Sequence, residues 1–190
     1  GVRGATIAGG GLPLGDSDPD YLSEGPNRVT DNFGVVGGGW GNVAGDNDPA
    51  LFTGLGATVA GGVVNSATAN SSTVGGGSGN QASANFATIA GGINQLASGE
   101  GSTVAGGSQN IAQALQSTIG GGSFQVATGS NATIAGGLEN TASGVQSTIG
   151  GGRGHDATAF VSTVAGGLQN IAAGSFASVG GGTANTAGGQ

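Results

Sequence analysis

The chain has 190 residues, of which 46 are Gly, 10 are acidic and 3 are basic, for a net charge of -7 at pH 7. With Arg3, Arg28 and Arg153 as its basic residues, it lacks the clustered positive charge that binds nucleic acid or an anionic membrane surface. No apolar run approaches the ~18–20 residues of a membrane-spanning helix, and no Cys is available for a disulfide.

The first recognisable element is Ala5-Thr6-Ile7-Ala8-Gly9-Gly10, which returns as Gly34-Val35-Val36-Gly37-Gly38-Gly39 and continues into Trp40-Gly41-Asn42-Val43-Ala44. From Thr58 the motif recurs every 15 residues, at Thr73, Thr88, Thr103, Thr118, Thr133, Thr148 and Thr163, and at Ser178 with Ser for Thr. The two upstream intervals, 29 and 23 residues, exceed one period by fourteen and eight. Insertions near 13–26 and near 45–53 account for the excess. A fixed short period marks a solenoid, in which each repeat is one coil stacked on the last. The expected fold is therefore all-β: a single parallel β-solenoid, or β-roll, spanning 1–190 with about eleven coils and two short strands per coil.

Taking the Thr as position 1, position 2 is Val or Ile in every regular coil, from Val59 to Val179. β-Branched residues favour a strand, and alternation about position 2 turns positions 2 and 15 inward and positions 1 and 3 outward. Gly at positions 4 and 5 supplies a first turn, where glycine alone takes positive φ without strain. A second strand follows, near positions 8–12, with the Ala at position 10 in the core. A second turn falls at positions 13 and 14. Position 8 is Asn65, Asn80, Gln95, Asn110, Gln125, Asn140, His155, Asn170 and Asn185. Such a column is expected to form amide ladders along the stack, with His155 replacing an Asn in it.

A two-coil period overlies the shorter one. Position 3 alternates between Ala and Gly with one slip, at Ala90 and Ala105, and position 6 is apolar mostly in the Ala coils (Val63, Ile93, Leu138, Leu168). The thin core implied by this composition predicts that the outward Thr and Ala/Gly face is covered by another copy of the chain. The residues expected in that interface are Thr88, Ala90, Thr103, Ala105, Thr118, Thr133, Ala135 and Thr148.

The insertions concentrate the unusual residues. Asp16, Asp18 and Asp20 alternate as in the first half of a calcium loop, and form the candidate metal site. No other cofactor is suggested. Long loops on a rigid scaffold carry recognition residues. Tyr21, Trp40 and Phe52 are the candidate aromatic anchors, with the two loops side by side.

The segment Asn140-Thr141-Ala142-Ser143-Gly144-Val145-Gln146-Ser147-Thr148-Ile149-Gly150 resembles the head repeat of the YadA-like trimeric autotransporter adhesins. That repeat reads Ala-x-Gly-x-x-Ser-Val-Ala-Ile-Gly, and Ala142, Gly144, Ser147 and Gly150 match it. The period here is one residue longer, and one apolar residue per strand replaces the family's two. The resemblance implies a left-handed parallel β-roll, three chains per head and adhesion at a cell surface.

One His, no Cys and no nucleophile–base spacing argue against an enzyme. The expected function is that of a non-enzymatic structural and adhesive module of a bacterial cell-surface fibre, extracellular or at the cell surface. Its expected partners are copies of itself, as trimer or filament, and a host or neighbouring-cell surface. Two alternatives compete. The chain starts at Gly1 rather than Met, as a processed chain or a fragment would, and both ends fall inside a repeat. Stacking of one chain's last coil on the next chain's first would give a head-to-tail filament. The Thr column also suggests ice binding, although Ala or Gly occupies position 3, where a second Thr would be expected.

Overall fold

Fifteen residues allow only very short strands once four corners are turned, and two-residue strands are what form. A computed structural model describes residues 2–10, 25–48 and 53–189. Among these residues there is no helix, and the strands make two parallel sheets of eleven strands each. Sheet A is built from positions 1–2, from Thr6–Ile7 through Val35–Val36 to Ser178–Val179. Sheet B is built from positions 9–10, from Arg28–Val29 to Thr186–Ala187. Register is strict: Thr103 pairs with Thr88 and Thr118, and Ala112 with Ala97 and Ala127. The fold is thus a parallel β-solenoid.

One coil shows how the backbone is satisfied. Thr103 N donates to Ser117 O (2.9 Å), Ala105 N to Ile119 O (2.9 Å), Ile111 N to Gln125 O (2.8 Å) and Gln113 N to Ala127 O (2.9 Å), each one turn further along the stack. A third parallel ladder runs along position 6, from Trp40 and Val63 to Thr183, which a two-strand reading of the repeat does not anticipate. Positions 7 and 14 donate backward: Gln109 N to Ile93 O (2.9 Å) and Gln116 N to Glu100 O (2.8 Å). Those reversed bonds require left-handed corners. Gln109, Phe124, Glu139 and Gln169 at position 7, and Phe86, Gln116, Gln146 and Phe176 at position 14, all have φ of 53–61°. A non-glycine residue in this region costs roughly 1–2 kcal/mol.

The core is a thin double column. Val74, Ile89, Val104, Ile119, Ile134, Ile149 and Val164 at position 2 are fully buried, as are Ala67 to Ala172 at position 10. Position 15 is filled by buried Ala87 and Ala132 and by buried Ser72, Ser102, Ser117, Ser147 and Ser162. Ser72, Ser117 and Ser162 donate to Ala69 O, Ala114 O and Ala159 O at 2.7–2.8 Å. Ser102 and Ser147 follow Gly99 and Gly144 instead, and their hydroxyls are buried with no partner. Position 5 is glycine for a steric reason: at Gly107, with φ 96°, a Cβ would overlap Gly122 O of the next coil.

The position-8 column is buried, but only its first pair, Asn42 Nδ2 donating to Asn27 Oδ1 (3.2 Å), shows the amide-to-amide bond expected from the sequence. Each Asn clasps the backbone. Asn65 Oδ1 accepts from Asn80 N (3.0 Å), and Asn110 Oδ1 accepts from Gln125 N (2.9 Å). Nδ2 of Asn65, Asn80, Asn110, Asn140 and Asn170 donates to the position-4 carbonyl of its own coil and the position-5 carbonyl of the next, at 2.8–3.2 Å. The reason is geometric. The glycine turn turns its carbonyls toward the column, so the short Asn amide reaches them before it reaches a neighbouring amide. His155 keeps only the accepted bond of this pattern: its Nδ1 accepts from Asn170 N at 3.0 Å, which puts the ring proton on Nε2, buried with no partner.

Candidate interaction surface

The outer face of sheet A follows directly from the repeat. With position 2 turned to the core, positions 1 and 3 point away from it, and the strict register stacks like on like. Thr88, Thr103, Thr118 and Thr133 are half-buried and Thr148 is exposed, while Ala90, Ala105 and Ala135 are exposed. The eight residues expected at an interface thus lie together on one face of the single chain. Successive rows are about 4.8 Å apart. From Thr58 to Ala165 the position 1 and position 3 N–H groups of this face donate within the stack. A partner would therefore be recognised by shape and by the threonine hydroxyls and methyls.

The Ala/Gly alternation on this face has an internal cause. A Cβ at Gly37, Gly75, Gly120 or Gly150 would overlap the carbonyl of Ala60, Ala90, Ala135 or Ala165 in the following coil. Gly is therefore needed there by the stack itself, and the resulting hollows on the face are a consequence.

The sites expected in the insertions divide. Asp16, Asp18, Asp20, Tyr21 and Phe52 lie outside the described residues. Trp40 is described. It is half-buried at position 6, and its N donates to Gly62 O (2.9 Å) while its O accepts from Val64 N (2.8 Å). Trp40 therefore opens the described position-6 ladder and is built into the scaffold. After Gly10 the chain is back in register by Asn27, whose Nδ2 donates to Gly39 O at 2.8 Å. The root of the second insertion is held by Asp31, which the sequence reading passed over. Its buried carboxylate accepts from Asp46 N (2.6 Å), Asn47 N (3.3 Å) and Thr30 Oγ1 (3.3 Å). Beside it lies a shallow open hollow lined by Asp46, Thr53, Thr68, Asn70, Ser83 and Asn85.

Among the described residues no group of three or more His, Asp or Glu side chains is placed to hold a metal ion. His155 is fully buried in the position-8 column. The one described ion pair, Arg153–Glu139 at 3.2 Å, has both side chains more than half exposed and adds little stability.

No protein-family model matches this chain, and no curated protein matches it. The assignment of a role therefore rests on the faces the solenoid presents.

The chain's exposed large apolar side chains are not scattered. Among the described residues Val63, Ile93 and Leu168 lie on the position-6 edge, Phe33, Phe86, Leu115, Val145, Phe160 and Phe176 lie on the opposite corner, at positions 13 and 14, and Val2, Ile7 and Phe124 lie outside both groups. No helix among the described residues is long and apolar enough to cross a membrane.

Proposed function

We propose that this solenoid is a non-enzymatic structural and adhesive segment of a fibre outside the cell or on its surface, and that it assembles with copies of itself through the outer face of sheet A. The observation that carries the reading is the unbroken, in-register column from Thr58 to Ser178, flanked by Ala or Gly and open to solvent in the single chain. Small side chains let a second backbone approach closely, and the rigid ladders beneath mean that little order is lost on contact. The core supports the same reading, since it holds one β-branched residue and small side chains per coil and leaves much of the stabilising burial to association. The resemblance to trimeric adhesin heads makes three chains the form to look for first, and contact with a host or neighbouring-cell surface the adhesive role.

Replacing Ala135 by Trp tests this. The side chain is exposed in the single chain, so the coil keeps its fold, while a bulky group on the face blocks the approach of a copy. Native mass spectrometry should show a multiple of the 17.5 kDa chain mass for the parent and a monomer for the variant. An oligomer unchanged by the substitution refutes the role of this face. Thermal hysteresis in a monomeric parent chain would instead support ice binding by the threonine column.

A further inference from the structure

We infer that the corner at positions 13–14, on the edge where sheet B returns to sheet A, is a second contact surface for another copy of this chain. The corner carries Leu55, Phe86, Leu115, Val145 and Phe176, one bulky apolar side chain in every second coil. Phe86 is 60% exposed, Leu115 48%, Val145 45% and Phe176 71%, and Leu55 is half-buried. The coils between them carry Asn70-Ser71, Glu100-Gly101 and Ser130-Asn131 at the same corner. The result is a row of apolar knobs about 9.6 Å apart, separated by small polar hollows, along about 38 Å of the stack.

Neither folding nor packing asks for these side chains. Position 14 is left-handed, and the chain places Gly101 and Asn131 there, residues that tolerate the conformation. Phe86 and Phe176 take it instead, with φ of 60° and 61°, and turn their rings to solvent. The left-handed φ is common to the corner, since Gln116 and Gln146 share it, so what singles out Phe86 and Phe176 is a large apolar ring left in solvent where Gly, Asn, Ser or Gln serves in other coils, in a chain with 4% aromatic residues. Phe160 interrupts the alternation, and its ring packs edge-on against Phe176 with centroids 5.4 Å apart, widening the last knob.

The occupant is set by the spacing. A second copy has the same two-coil period from Leu55 to Val145, so over that stretch its knobs lie over the first copy's hollows when the two are offset by one coil. The exposed parts of these side chains, with Phe33 and Phe160, offer roughly 600 Å² of apolar area, most of the ~800 Å² per partner of a standard interface. Glu100 is the one charged side chain among these corner residues of the regular coils, so two chains of net charge -7 meet here with little like-charge opposition.

The test is sedimentation equilibrium of the full chain over a concentration series. The variants are Phe86→Asn with Phe176→Asn, Ala135→Trp, and both sets together. Asn keeps the left-handed corners, so the far-ultraviolet circular dichroism should not change. The double Asn variant should weaken self-association at least tenfold, whether or not Ala135→Trp acts on sheet A. Leu115→Ser with Val145→Ser, at positions without positive φ, should do the same if the Asn pair does not fold. Association that stays within twofold of the parent chain in both pairs overturns the inference, as does a parent chain that is monomeric at every concentration. Loss of association with Ala135→Trp alone supports the sheet A reading and overturns this one; loss with the corner variants alone does the reverse.

Discussion

The position-8 column makes a quantitative prediction about Gln125. An Asn in this column makes three bonds: one accepted from the next coil's N–H and two donated by Nδ2. Gln125 keeps the first, to Asn140 N at 3.0 Å, but its Nε2 is buried with no partner. Its extra methylene carries the amide past Gly121 O and Gly137 O, the carbonyls that an Asn would reach. Gln125→Asn therefore restores two neutral hydrogen bonds and removes a buried orphan N–H, worth about 2–3 kcal/mol together. It loses one buried methylene, about 0.8 kcal/mol. The net expectation is a gain of about 1–2 kcal/mol, or roughly 3–6 °C in Tm for a domain of this size. Thermal unfolding followed by circular dichroism measures it, with Asn110→Gln as the reciprocal change and an equal loss expected. A Gln125→Asn variant no more stable than the parent, alongside an Asn110→Gln variant that is no less stable, would falsify the backbone-clasp account of the column.

Other consequences follow from the same geometry. Gly107→Ala places a Cβ on Gly122 O at φ 96° and should cost more than about 3 kcal/mol, whereas Gly106→Ala, with nothing within 4 Å, should be tolerated; urea unfolding of the pair separates them. Ser147→Ala removes a buried hydroxyl with no partner and should stabilise by about 1 kcal/mol, while Ser117→Ala loses the bond to Ala114 O (2.8 Å) and should destabilise by a similar amount in the same assay. Ile119→Ala empties a fully buried column site and should cost about 2–5 kcal/mol, read as an earlier urea midpoint.

The repeat made much of the architecture legible. Val or Ile at position 2, Gly at positions 4 and 5 and Ala at position 10 fix which side chains face in, and the structure places them so. The eight candidate face residues follow from that alternation alone. Three things were not readable. The left-handed corners at positions 7 and 14 carry Phe, Gln, Glu and Val, with no consistent Gly or Asn to announce them; inter-coil hydrogen bonds such as Gln116 N to Glu100 O impose them. The Asn column was visible as a column, but an amide can bond to its like or to backbone, and only the position of the glycine carbonyls decides. Asp31 gave no signal, because its role depends on where an eight-residue insertion re-enters the stack. Only the pairing of Ala69, Ala114 and Ala159 with Ser72, Ser117 and Ser162 hinted in the sequence at a coupling between positions 12 and 15.

Burial of sheet A's outer face in the assembly is the central claim, and a single cysteine reads it directly because the chain has none. Ala105→Cys puts a small thiol at an exposed position of the single chain. The rate of maleimide labelling should fall at least tenfold between dilute and concentrated protein and recover in denaturant. Thr158→Cys, exposed on the opposite sheet, should label at one rate throughout. An Ala105→Cys thiol that reacts at the open rate at every concentration means that this face stays in water, and contradicts the account.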